Sequence, residues 1–283
     1  MALKVYVSLS DGCYFMNKLL TLVAVFLISS CSDDVFMHQL VEREELYYEI
    51  NSQTPFTGTA MTNHSNGQLA GKVLFMEGRF DGDYETYHDN GQLKSKGVWS
   101  NGERQGLLMG YHKNGQLESK LNYQDGIIQG PAEVYYDNGH LEYEKIFLDG
   151  EMHGIINQYN INGQLKSKFN YQDGIIQGPA ESYYDNGQLE NISMWVDDKL
   201  HGLMVSYHQN GNISAKGTLR DGKKVGLWEY FHENGKIEVK EPWKEGEKHG
   251  IVQFFNENGQ KIGLAEKCYI KGVEYSIGLC DLM

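Results

Sequence analysis

Proline is scarce in this 283-residue chain, 4 in all, and basic residues are outnumbered, 25 Lys plus Arg against 38 Asp plus Glu. The formal charge of −13 comes without a basic run, so nucleic-acid binding and electrostatic adhesion to anionic headgroups find no support. No H-E-x-x-H, G-x-S-x-G, C-x-x-C, P-loop or dinucleotide fingerprint occurs, and no catalytic residue, metal or cofactor is assigned. Apolar runs are short. The longest, Leu19 to Ile28, cannot span a bilayer as a helix.

That run is nevertheless informative. Lys18 precedes it and small residues close it, Ile28-Ser29-Ser30-Cys31, which is the pattern of a secretory signal. It resembles a bacterial lipoprotein signal, whose lipobox ends in the cysteine that becomes the acylated first residue. Residues 1–30 are read as signal peptide, with Met16 opening a better signal than Met1, and Cys31 as the lipidated N-terminus. Processing removes Lys4, Lys18 and Asp11, which leaves the rest one unit more acidic. Three acyl chains would hold the protein stably on a membrane, where one would be marginal. The expected location is the bacterial cell envelope. Cys268 and Cys280 remain near the C-terminus; in an oxidising compartment they either pair or stay as two thiols in a partly buried cap.

What the chain has in abundance is glycine, 33 residues, and tyrosine, 19. The glycines are periodic: Asn66-Gly67, Asn90-Gly91, Asn114-Gly115, Asn138-Gly139, Asn162-Gly163, Asn186-Gly187, Asn210-Gly211, Asn234-Gly235 and Asn258-Gly259 recur at 24-residue intervals. A period of this size marks a supersecondary unit that buries its apolar surface against its neighbours. The expected fold is all-β, an elongated single-sheet antiparallel β-meander of about nine 24-residue hairpin repeats. The array runs over 55–273, preceded by a tether and N-terminal cap at 31–54 and followed by a C-terminal cap at 274–283.

Each unit carries two turns. Asn-Gly suits a two-residue hairpin turn whose central residues both need positive φ. A longer turn is expected from Asp125-Gly126 to Gly130 and at equivalent positions. Between the turns, Leu69, Leu93, Leu117, Leu141, Leu165, Leu189, Ile213 and Ile237 form one column, followed six residues later by Phe75, Trp99, Tyr123, Phe147, Tyr171, Trp195, Leu219 and Trp243. The even offset places both on one strand face. The other strand carries Tyr87, Tyr111, Tyr135, Tyr159, Tyr183, Tyr207, Phe231 and Phe255. These rings are the expected core, or a partner-binding strip if one face is uncovered. Lys72, Lys96, Lys120, Lys168, Lys216 and Lys240 stand at the odd offset, the wet face. The segment Asn122–Glu133 recurs letter for letter at Asn170–Glu181, the mark of a two-unit duplication.

His64, His88, His112, His208 and His232 share a column beside the Asn-Gly turn. Two strands per unit separate equivalent atoms by about 9.6 Å, too far for zinc ligands, which must lie within about 3 to 4 Å of one another. One aspartate per Asp-Gly turn likewise falls short of the oxygens calcium prefers.

With its turns and columns in place, the unit resembles the MORN repeat, and more closely the bacterial variant that alternates F-x-G, Y-x-x-N-G-x-L and an aromatic before a second glycine pair. Pro55-Phe56-Thr57-Gly58 resembles the usual entry, and His153-Gly154, His201-Gly202 and His249-Gly250 match the His-Gly pair. The resemblance implies a β-meander used for binding or scaffolding by a protein partner. Some bacterial members carry a YwqK-type antitoxin label, so a toxin is one partner class and an envelope protein another; the signal at Cys31 departs from a cytosolic antitoxin. An envelope hydrolase assembled from scattered residues is kept as the third reading after scaffold and antitoxin, disfavoured because a repeated sheet supplies no unique cleft.

Overall fold

A computed structural model describes residues 34–280; the signal segment and Cys31 lie outside the described residues. The structure is 64% strand with almost no helix, most of it in one long sheet of 24 strand segments among the described residues. Several segments are halves of one strand divided at a bulge, as Ile127–Ile128 and Gly130–Tyr135 are. Successive strands pair antiparallel from Gly58–Asn63 to Val273–Tyr275. The one exception is Val35–Phe36, which runs parallel to Gly58–Asn63 and makes the sheet mixed.

The N-terminal end is closed by Val35, Met37, Leu40 and Tyr47, which pack on Phe56, Ala60 and Phe75. A separate hairpin, Leu40–Arg43 with Leu46–Glu49, carries part of this cap. Phe75 is wholly buried there, with Tyr47, Phe56 and Phe80 rings 5.3, 5.5 and 4.7 Å away. At the other end Cys268, buried, and Cys280, in the short helix Ile277–Cys280, have their sulfurs at bonding distance, with Cα atoms 5.8 Å apart.

The two turns are the reverse of the expectation. In the Asn-Gly turn only glycine has positive φ, 84° at Gly91, while Asn90 does not. Gly91 N–H donates to His88 O at 2.9 Å and His88 N–H to Gln92 O at 2.8 Å, so this is a three-residue loop, a type I turn followed by a left-handed glycine and a bulge. The two-residue primed turn is the other one: Asp125 (φ 50°) and Gly126 (φ 74°) link Gln124 to its partner Ile127. Asn101-Gly102 occupies that second turn and takes positive φ at both residues. The reason lies in the side chain of the asparagine. Asn90 Oδ1 accepts from Gln92 N–H at 3.1 Å, a contact kept at Asn162 and Asn186, so asparagine serves here as a side-chain acceptor and not for its tolerance of positive φ; Asn90 Nδ2 also donates to Lys113 O at 3.0 Å, a bridge to the next repeat.

The ring columns also depart from the expected single core. Directly opposed residues share a sheet face. Glu85 opposes Lys96, so Tyr87, two residues on from Glu85, lies on the lysine face, and Trp99, three on from Lys96, lies on the other. Tyr87, Tyr111, Tyr135, Tyr159, Tyr183, Tyr207, Phe231 and Phe255 are therefore on one side, here the outer face. Phe75, Trp99, Tyr123, Phe147, Tyr171, Trp195, Leu219 and Trp243 are on the inner face, where the well-buried residues Ala132, Ile156, Ala180, Leu219, Trp228 and Val252 also sit.

Candidate interaction surface

Repeats are tied to one another along both sheet edges. On the Asn-Gly edge, Nε2–H of His64, His88 and His112 donates to Tyr87 O, Tyr111 O and Tyr135 O at 2.9, 2.7 and 2.8 Å. His208 and His232 do the same to Phe231 O and Phe255 O. Where the column has tyrosine, Tyr136 and Tyr184 hydroxyls donate to Tyr159 O and Tyr207 O. A carbonyl acceptor requires the proton on Nε2, so the histidine column is an inter-repeat staple. No group of three or more His, Cys, Asp or Glu is placed to hold a metal among the described residues. On the opposite edge, Gly102 and Gly126 N–H donate to Phe80 O and Arg104 O at 2.8 and 3.0 Å. At the odd turn, Asp198 stands in place of glycine and takes φ 60°.

The outer face carries three rows running across the strands. Next to the Asn-Gly turns lies the Tyr/Phe column, half-buried. Beside it run Lys–Glu pairs, Lys72–Glu85 at 2.8 Å, Lys120–Glu133 at 2.7 Å and Lys216–Glu229 at 2.9 Å, with Met109, Asn157, Ile192 and Val205 at intervening positions of the same row. Tyrosine hydroxyls join the pairs, Tyr87 donating to Glu85 and Tyr135 to Glu133. The Lys72 ammonium, and then the Tyr87 hydroxyl, hold the Glu85 carboxyl below its ordinary range, and Lys120 with Tyr135 does the same at Glu133. Burial, with a hydrogen bond to Glu144 adding to it, pushes the Tyr159 hydroxyl up to about 12.

The third row is apolar and open to solvent. Leu74, Val98, Leu107, Ile146, Ile155, Met194, Leu203 and Leu227 are exposed by 38% at Met194 to 56% at Ile155 and Leu203. They lie on one face of neighbouring strands, with Pro131 opposing Ile146, Pro179 opposing Met194 and Pro242 opposing Leu227, while Asp83, Asn122, Asn170 and Thr218 interrupt the row opposite Val98, Leu107, Ile155 and Leu203. Near the primed turns Ile127, Leu148, Ile175 and Val196 extend the patch, exposed by 41 to 49%. Exposed apolar side chains gathered on one face in this way mark a candidate contact surface. Sequence reasoning sought the exposed strip among the rings and missed this row. Its signal was present, since Leu107, Ile155, Leu203 and Leu227 each follow the second glycine of a unit.

The inner face mixes rings with cations. Lys224 Nζ lies 4.3 and 4.8 Å from the Trp228 and Trp243 ring centres and donates to the Tyr230 hydroxyl at 2.6 Å. Burial among these rings lowers the Lys224 pKa and raises that of Tyr230. Arg104 sits over Trp99 and Tyr123 at 5.4 and 5.5 Å. A groove of about 250 Å³ opens beside the N-terminal cap, lined mainly by Met37, Ala60, Val73, Phe80, Tyr84 and Trp99.

A single sheet of stacked hairpins, stapled repeat to repeat and presenting long parallel rows of side chains, defines a β-hairpin repeat protein. The chain belongs to the MORN repeat variant family, whose profile matches residues 80–101, 104–125, 128–149, 176–197, 200–221, 224–245 and 248–266, together just over half of the chain. Each match begins on the strand leaving a primed turn. The segment 152–173 falls between matches yet keeps the same pairing, Gly154 with Tyr171 and Ile156 with Phe169. The family is a non-catalytic repeat domain, generally used for interaction with proteins or membranes. No curated protein matches the chain significantly. Among solved structures it is similar to a chain in the crystal structure of TcdB2-TccC3-Cdc42, at 12% identity over 74% of this chain and 14% of that one, with a TM-score of 0.20. A chain in the TcdB2-TccC3-TEV structure gives 11%, 71%, 15% and 0.18. The Tc holotoxin pore of Photorhabdus luminescens gives 14%, 76%, 13% and 0.19. The chain spans about one seventh of the length of these chains, and TM-scores of this size carry no argument.

Proposed function

We propose that the protein is a non-enzymatic lipoprotein of the bacterial cell envelope, anchored through Cys31, that offers its outer sheet face to another protein. The observation that carries the interaction reading is the exposed apolar row from Leu74 to Leu227, bordered by Lys–Glu pairs. An apolar centre with a polar rim is the anatomy of a protein interface. The Lys18, Leu19–Ile28 and Ile28-Ser29-Ser30-Cys31 pattern supports the anchor. Metabolic labelling with a fatty-acid analogue should mark the protein and miss Cys31→Ser; equal labelling refutes the anchor. A photo-crosslinker at Leu107 should capture a partner in native envelopes, whereas one at exposed Asn114 on the turn edge should not. A captured toxin would make the protein an immunity protein, and an envelope protein would make it a scaffold. No capture at any position of the row would sink the interaction reading.

A further inference from the structure

We propose that the groove beside the N-terminal cap binds a small free aromatic carboxylate, its ring held in the groove and its carboxylate on the guanidinium of Arg104. The site lies on the inner face and is independent of the reading of the outer one. Two features carry it: a ring-lined hollow in the sheet, and beside that hollow a cation without an acidic partner.

The hollow follows from the residues that the strand registers bring together. Ala60 opposes Val73, Thr62 opposes Gly71 and Gly71 opposes Thr86, so the inner face is floored here by small side chains. Phe80 and Trp99 stand on one flank with ring centres 5.3 Å apart, the Tyr84 ring lies 5.9 Å from Trp99, and Met37 joins them from the cap. Gly97 opposes Tyr84. Its missing side chain makes room for that ring, since a methyl group there would stand 2.8 Å from Tyr84 Cε1. Farther along the same row the pairs are larger, Leu108 with Leu121 and Ile156 with Phe169. Lys72 and Glu85 also reach the groove, but each is engaged with the other at 2.8 Å. The space measures about 250 Å³. A cavity of about 150 Å³ takes benzene, so this one suits a bicyclic ring, or a phenyl ring on a short chain, and is too small for a run of peptide. The three lining rings favour an aromatic occupant, which they can meet edge-on or offset.

Arg104 supplies the charge. It opposes Trp99 from the next strand, with its guanidinium carbon 5.4 Å from the Trp99 ring centre and 5.5 Å from that of Tyr123. Burial raises the Tyr84 hydroxyl pKa and the Arg104 charge works against that rise, so the guanidinium stands close to two rings that line the groove. Among the described residues Arg104 forms no ion pair. In a chain of formal charge −13, the inner face is the electropositive one. Arg104, Lys145, Lys224, Lys248 and Lys267 stand on it with the acids Glu241 and Glu274, and those two are taken by Lys248 and Lys267 at 2.5 and 3.1 Å. Contact with ring faces uses the charge of a guanidinium and leaves its N–H fork for a carboxylate, which it can hold through two parallel hydrogen bonds. One guanidinium matches a singly charged acid. The apolar lining rejects a ligand of higher charge.

Indole-3-propionate is the probe. Isothermal titration calorimetry of the purified protein should give one site per chain with a dissociation constant below about 1 mM. Indole-3-propionamide, which keeps the shape and loses the charge, should bind at least tenfold more weakly. Arg104→Gln should weaken the acid by at least tenfold and bind acid and amide alike, with an unchanged circular dichroism spectrum; a merely structural role for Arg104 would not remove that discrimination. Thr62→Phe, at an exposed position on the rim, should fill the groove and abolish binding with Arg104 still in place. No binding by the unmodified protein, equal binding of acid and amide, or an affinity indifferent to either substitution would each overturn the proposal. Binding of a short acetylated peptide ending in phenylalanine tenfold more tightly than the free acid would overturn it too, because the occupant would then be a protein C-terminus. Crosslinking through Leu107 tests the outer face alone and is untouched by any of these results.

Discussion

Gly217 shows how closely the inner face is fitted. It lies in a strand, and Trp228 lies flat on its backbone: a methyl group there would stand 2.2 Å from Trp228 Cδ2, 2.3 Å from Cε2 and 2.5 Å from Cγ. Carbon atoms rest at about 3.5 to 4.0 Å, so Gly217→Ala must push the indole back by more than about 1 Å. Trp228 is only 4% exposed, and its Nε1–H donates to Thr218 O at 3.1 Å. Displacement strains the packing, at about 1 to 3 kcal/mol, and weakens a hydrogen bond worth about 0.5 to 1.5 kcal/mol. The stiffer unfolded chain of alanine returns about 0.4 to 1 kcal/mol. A net loss of about 0.5 to 4 kcal/mol, centred near 2 kcal/mol, is expected in urea denaturation. Gly97→Ala should cost less, because its methyl would meet the tip of Tyr84 at 2.8 Å. In a Trp228→Leu background the Gly217→Ala penalty should fall below about 1 kcal/mol, since contacting pairs are non-additive. A Gly217→Ala loss unchanged in that background would show that the ring does not set the glycine.

Gly126→Val places a β-branched residue at φ 74° and should cost about 1 to 3 kcal/mol, read as a lowered urea midpoint; no change would remove the primed turn from the account. Glu85 and Glu133 have folded pKa values depressed by Lys72 and Lys120, so their contribution is present above the ordinary value of 4.5 and is lost as pH falls through the lower folded value. Melting temperature should therefore decline on acidification below about pH 4.5, less steeply in Glu85→Gln/Glu133→Gln, and equal slopes would refute that assignment. Deleting Asn114–Asp137 removes one period and joins repeats whose bridges reach only the next unit, as His112 to Tyr135 does, so the sheet should survive with a modest loss of melting temperature. Loss of all β structure on circular dichroism after every such deletion would show one cooperative globule.

The 24-residue Asn-Gly interval by itself determined the all-β meander, the turn positions and the even-offset columns, because hairpin repeats write their period directly into glycine and alternation. It did not determine which turn is primed. Asn-Gly satisfies either geometry locally; at each such turn from Asn66 to Asn234 the asparagine Oδ1 accepts from the N–H two residues on, and most of them, as Asn90 does to Lys113 O, also bridge to the next repeat, a contact visible only when repeats are stacked. Ring periodicity likewise left faces unassigned, since spacing by 12 residues crosses a turn and a bulge, and only the pairing of Glu85 with Lys96 separates Tyr87 from Trp99. The exposed row was decided by tertiary structure for the same reason. Leu107 and Val98 come from different strands and become one surface only when the bulge at Gly106 sets them on the outer side of the sheet.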